Sequence, residues 1–140
     1  MKLTHVQVLK APRERVYAAL LDPGTLKACV EGCESLTPSG PDGYDAVLRV
    51  GPVTMRGRVE IQDRRPPESL TLKIEGKGLP GSVRSSARVR LTDVDGGTEL
   101  VGEGDVTVGG LLAAAGPKLA EDVARRLLTD FFEKIARRLG

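Results

Sequence analysis

From residue 34 to residue 108 apolar and polar side chains alternate with a period of two in short runs. Each run stops at a cluster of turn formers: PSGPDG, VGP, DRRPPES, GKGLPGS and DVDGG. Such alternation marks a strand with one buried face, and Gly, Pro and Asp supply the dihedral angles that reverse the chain. The pattern predicts six strands in a meander, and residues 2–9 read as a further strand ahead of them. Pro12 suits a helix start, with Val16, Leu20 and Leu21 at helical spacing before Asp22-Pro23-Gly24 stops it. A second short helix, about residues 23–29, carries Leu26 inward and ends before Gly32. From Leu111 to Leu139 apolar residues at 112, 119, 123, 127, 131 and 135 trace a long amphipathic helix, with a kink or a second start at Gly116-Pro117.

A sheet with one apolar face and a helix with one apolar arc are both satisfied when each buries that surface on the other. The expectation is one α+β domain over residues 1–140. It consists of a curved antiparallel seven-stranded sheet wrapped around a long C-terminal helix, with two short helices after the first strand. Strand phase turns Leu70, Leu72 and Ile74 inward on the fifth strand, Val83, Ala87, Val89 and Leu91 on the sixth, and Leu100, Val106 and Val108 on the seventh. The apolar arc of the helix spans about 220°, wider than one flat contact requires. An interior so poor in aromatics either closes tightly or keeps an apolar cavity. Such a cavity would be lined by Leu72, Ile74, Ala87, Val89 and Leu100 from the sheet and by Leu119, Val123, Leu127 and Phe131 from the helix. The EGKGLPG hairpin would place Leu79 and Pro80 at its mouth.

Composition narrows the function classes. Lys and Arg total 21 against 19 acids, a net charge of +2, where a duplex-binding domain carries a larger, concentrated excess. With only Tyr17, Tyr44, Phe131 and Phe132 as aromatics, no row of rings is available to stack bases. Nucleic acid is therefore not an expected partner. No apolar run approaches the ~18 residues that cross a bilayer, and the first residues lack a secretory h-region, so a soluble, cytoplasmic protein is expected. The absence of Asn and the excess of Arg over Lys suit a heat-adapted or GC-rich source.

Candidate chemistry is thin. Cys29 and Cys33 form a C-x3-C pair, but with His5 as the one imidazole they do not make a four-ligand zinc site, so neither metal nor cofactor is expected. They read first as small buried thiols, and a disulfide would need their Cα atoms within about 7 Å. His5 shares its phase with Leu3, Gln7 and Leu9, while Val6 and Val8 share the other. Either the two polar residues line an apolar interior or they face water. None of the assigned inward positions on the fifth to seventh strands carries a carboxylate or lysine, which favours binding over catalysis. Arg84, Arg88 and Arg90 should lie beside Glu99, Glu103 and Asp105 on the outward face. That face reads either as cross-strand ion pairing in water or as a docking surface for a protein partner or acidic lipid heads. The glycine-rich hairpin lacks the Lys-Ser/Thr of a phosphate loop and joins two strands.

Six segments resemble the G-subunit family of carbon monoxide dehydrogenase, a branch of the START-like (SRPBCC) helix-grip superfamily. They are A-P-R-E-R-V-Y-A-A-L-L-D-P at 11–23, C-V-E-G-C-E-S-L at 29–36, V-G-P-V at 50–53, I-E-G-K-G at 74–78, V-G-G-L-L-A at 108–113 and D-F-F at 130–132. Glu31 stands where that family usually has Pro, which would leave a looser turn. The resemblance implies a helix-grip fold and a non-catalytic accessory to a molybdenum carbon monoxide dehydrogenase or related hydroxylase. It would bind an apolar small molecule, lipid or quinone-like, with peripheral contact at the inner face of the membrane. Two alternatives stay open. One is a cyclase or hydrolase of the helix-grip type, for which His5 is the obvious titratable group. The other is an adaptor with a filled core that binds a protein partner only.

Overall fold

The computed structural model describes residues 1–50, 53–79, 81–114 and 116–139, apart from the side chains at 50, 53, 111, 112 and 123. The order is β1 (Lys2–Leu9), α1 (Arg13–Leu21), α2 (Pro23–Cys29), β2 (Cys33–Pro38), β3 (Gly43–Val50), β4 (Val53–Arg65), β5 (Ser69–Gly78), β6 (Gly81–Val94), β7 (Gly97–Gly109), α3 (Leu111–Ala114) and α4 (Pro117–Leu139). All seven strands form one antiparallel sheet in the order β1-β7-β6-β5-β4-β3-β2. The predicted seven strands and two early helices are therefore present. The C-terminal helix is divided at Gly116-Pro117, where Gly116 has φ 105° and α4 begins anew.

Local chemistry explains the compact segment after β1. Pro12 stands as the extended N-cap of α1, whose Val16, Tyr17, Ala19 and Leu20 are buried. Asp22 ends α1 and starts α2. Its backbone N–H returns to the Ala19 carbonyl, and its carboxylate accepts from the Thr25 N–H at 3.0 Å and the Thr25 hydroxyl at 2.7 Å. These contacts, the hydroxyl foremost, hold the Asp22 carboxyl below the usual carboxylate range. Pro23 then sits at the first helical position, where its missing N–H costs nothing. The turn from α2 to β2 runs through Gly32, beside Glu31. Gly32 has φ 77°, a Cβ there would run into the Arg49 carbonyl, and the Arg49 N–H donates to Gly32 O at 2.7 Å.

Packing is concentrated at one end. Leu9, Leu20, Ile61, Leu70, Val89, Leu91 and Leu100 form a buried cluster with Phe132, Ile135 and Leu139 from the C-terminal half of α4. Helices α1 and α2 wedge between that half of α4 and the sheet. Two polar bonds lock the wedge: buried Thr98 donates its hydroxyl to Ala11 O at 2.7 Å, and Tyr17 donates to Ser69 O at 2.9 Å. Arg13 Nε lies 3.0 Å from Asp93 Oδ1 beside them, without the alignment of a hydrogen bond.

Candidate functional site

Register places the inward side chains in rows across the concave face. One row reads His5, Gly102, Val89, Leu70; the next Leu3, Gly104, Ala87, Leu72, Ile61; the next Val106, Ser85, Ile74, Val59, Tyr44; and a fourth Val108, Val83, Gly76, Gly57, Ala46. The first two rows run into the packed cluster, and the last two leave it. From Met55 to Ile61, Leu70 to Gly76, Val83 to Leu91 and Leu100 to Val108, every inward position is apolar, glycine or Ser85. The concave face is thus apolar along its length and most closely packed in its first two rows.

Burial draws the boundary. Leu100 is 0% exposed in the packed half, whereas Ile74 is 37% exposed, and Val83, Val106 and Val108 are half-buried. On α4 Phe132, Ile135 and Leu139 are buried toward the C-terminus, while toward the N-terminus Ala120 is buried and Leu119 (55%) and Leu127 (46%) are exposed. The adjoining Gly57 and Gly76 keep the floor of the open half low. A Cβ on Gly57 would strike the Glu75 carbonyl, so that position has no alternative to glycine, while a Cβ on Gly76 meets nothing closer than 4.0 Å.

His5 and Gln7 settle on the concave face, and Val6 and Val8 are exposed on the other. The imidazole stacks on the Phe132 ring, centroids 5.1 Å apart and 8° from parallel, and Phe131 meets Phe132 edge-on at 5.1 Å. Gly102 makes the slot: a Cβ there would lie 3.2 Å from the Phe132 ring. His5 Nε2 donates to Gln7 Oε1 at 3.0 Å in the tautomer this contact requires. An amide is a neutral partner, so the pair lacks the carboxylate that orients and charges a catalytic imidazole.

The residues expected to line a cavity therefore divide. Leu72, Val89 and Leu100 belong to the packed cluster. Ala87 lies half-buried in the second row and Ile74 in the third, Phe131 packs half-buried against the cluster, and Leu119 and Leu127 lie exposed on α4. Leu79 tops the β5–β6 hairpin at 87% exposure. Val123's side chain and Pro80 lie outside the described residues. Sequence reasoning left out the β4 contribution, Met55, Gly57 and Val59, although its alternation with Arg56, Arg58 and Glu60 carried the signal. Two surface depressions lie elsewhere and touch none of the expected lining residues. One, of about 370 Å³, is lined by Glu14, Tyr17, Ala18, Leu21, Pro66 and Pro67. The other, of about 560 Å³, crosses the convex face at residues such as Lys73, Arg88 and Glu103.

The expected outward pairing is corrected in part. Arg88 faces Glu103 in register, and Arg90 reaches Glu103 at 3.7 Å, but Arg84 faces Thr107 and pairs instead with Glu75 of β5 at 3.6 Å. Both thiols are free, Cys29 buried and Cys33 half-buried, and burial raises the pKa of each. Among the described residues no group of three or more His, Cys, Asp or Glu is placed to hold a metal ion, and no helix is long and apolar enough to cross a membrane.

Comparison with known proteins agrees with this architecture. A conserved protein from Geobacillus kaustophilus is 33% identical, with a TM-score of 0.94 over 99% of this chain and 95% of its own. A protein from Chromobacterium violaceum, 17% identical, superimposes with a TM-score of 0.77 over 99% and 96% of the two chains. Ara h 8.0201, 12% identical, reaches 0.76 over 99% and 97%. The last two likenesses show the helix-grip fold alone. No curated protein matches the chain. The sequence model of the CoxG family, the G-subunit family of carbon monoxide dehydrogenase, matches residues 5–140, and the chain belongs to that family.

Proposed function

We propose that the chain holds an apolar small molecule, lipid or quinone-like, on the open half of the concave face, as a non-catalytic accessory to a molybdenum carbon monoxide dehydrogenase or related hydroxylase. The observation that carries this reading is the division of one continuous apolar face into a closely packed half and a half that is only partly buried. Uncovered apolar area in water is costly at about 25 cal/mol per Å², and a bound apolar molecule recovers that cost. The low floor at Gly57 and Gly76 leaves room for it. Family membership supports the enzyme partner. A dehydrogenase must hand its electrons to an acceptor, and a membrane quinone is a chemically sensible cargo for an apolar groove.

The test is native mass spectrometry of the purified protein, with mass spectrometry of its organic-solvent extract. One lipid or quinone per chain is expected. Gly76→Phe, which has space for its Cβ and sends a ring across the floor, should abolish uptake without unfolding the protein. A clean apo mass with no uptake of added quinones or lipids would sink this reading and leave an adaptor acting through its outward face.

A further inference from the structure

We infer that the outward face of the sheet is a docking surface for an acidic, extended segment of a protein partner, whose carboxylates are received by base–hydroxyl pairs across β5 and β6. This surface lies on the side of the sheet away from the concave face, so the inference goes beyond the ligand-holding reading and does not depend on it.

Strand register makes the pairs. Lys77 stands opposite Ser82, Lys73 opposite Ser86 and Arg88 opposite Thr71, all in the outward phase. Each base thus has a hydroxyl beside it where cross-strand ion pairing would place an acid. Among the described residues Lys73, Lys77 and Arg88 take part in no ion pair. The three hydroxyls likewise make no side-chain hydrogen bond among the described residues. A carboxylate set between a base and a hydroxyl accepts from both, and the bond from the base is charge-assisted.

The neighbouring acids are held elsewhere. Glu75, between Lys73 and Lys77 on β5, lies 3.6 Å from Arg84. Glu60, opposite Lys73 on β4, accepts from Arg58 at 3.2 Å and from Gln62 Nε2 at 3.2 Å. Glu103, opposite Arg88 on β7, lies 3.7 Å from Arg90, and Asp105, opposite Ser86, faces Lys2 across β1. The three base–hydroxyl pairs are left for an acid from outside. Two of them, Lys73 with Ser86 and Arg88 with Thr71, line the depression of about 560 Å³ on this face.

Spacing selects the kind of acid. Six residues of β5 separate Lys77 from Thr71, so the pairs are spread over about 20 Å at ~3.3 Å per residue. A small acid reaches one pair. An extended peptide with acids on one face, about 6.7 Å apart, reaches all three. Glu103 and Asp105 on β7 and Asp63 on β4 border the depression, and their carboxylates repel a broad polyanion such as a nucleic acid duplex while leaving room for a narrow chain between them.

The experiment is fluorescence anisotropy of a labelled peptide of alternating Glu and Ser, titrated with the full chain at low salt. Saturable binding that weakens with added salt is expected, and a peptide of alternating Lys and Ser should not bind. Lys73→Gln, Lys77→Gln and Arg88→Gln should each weaken binding roughly fivefold. Ser86→Ala should weaken it about threefold with the salt dependence unchanged, an effect that charge alone does not produce. Lys10→Gln removes the same charge away from the pairs and should have no effect. The substituted bases are exposed, so circular dichroism should match the parent. Absence of binding, an equal loss in Lys10→Gln, or tighter binding of a DNA duplex than of the peptide overturns the surface. Gly76→Phe keeps the two readings apart: it should lose ligand uptake and bind the peptide as the parent does, and loss of peptide binding in it would place the peptide on the concave face instead.

Discussion

The two ends of this molecule are built from the same apolar face and differ in what covers it. At the packed end, α1, α2 and the last two turns of α4 close over Leu9, Leu91 and Leu100, and Arg13–Asp93 and Arg64–Asp42 match charges around the rim. At the open end the same strands carry on with Ile74, Val83 and Val108, which are exposed or half-buried, and among the described residues Arg56 and Lys77 take part in no ion pair. Stability belongs to the first end, and the second is left with surface that folding does not use.

The sharpest way to break that contrast is a pair of truncations on the same face. Leu100→Ala should cost about 3 kcal/mol, because a fully buried leucine leaves a cavity that its neighbours cannot fill. Ile74→Ala should cost less than a third of that in the same urea titration. Equal losses would mean that the open half is as much core as the packed half. Thr98→Val comes next, at about 1 to 2 kcal/mol, since it leaves the Ala11 carbonyl without its buried donor.

The thiols sharpen the same boundary by rate. Burial holds both above the ordinary cysteine value, so alkylation at neutral pH should be slow, with half-buried Cys33 modified before Cys29. Mass mapping of a timed reaction gives the order, and simultaneous labelling would contradict the closed packing of α2. The smallest effect concerns Asp22. Its folded pKa lies below the unfolded one, so its contribution is present above the unfolded value and is lost as pH falls through the folded value. Asp22→Ala should therefore lower the melting temperature at neutral pH, and the difference from the parent should shrink in acid.

Much of this was legible in the sequence because turn chemistry punctuates it. The strand limits fall where Gly, Pro and Asp clusters lie, and the inward phases of β5 to β7 follow from plain alternation. The phase of β1 could not be read, because Leu3 and Leu9 argue for one face and Val6 and Val8 for the other. Phe132 and Gly102 decide it by forming a flat slot for the His5 ring, a contact between residues far apart in the chain. Helical periodicity likewise assigns Leu119, Leu127 and Ile135 to one apolar arc. It does not report how far along the helix the covering elements extend, and that extent separates buried Ile135 from exposed Leu127.

Strand order also sets a sequence of events. From β2 to β7 each strand pairs with the one before it, so the meander can zip through short loops as the chain emerges. β1 pairs only with β7, roughly ninety residues later, and closing so long a loop is slow. The first strand made therefore has its pairing partner at the far end of the sheet-forming sequence. The slot that receives His5 is complete only when α4 supplies Phe132, so the beginning and the end of the chain depend on one another for their place.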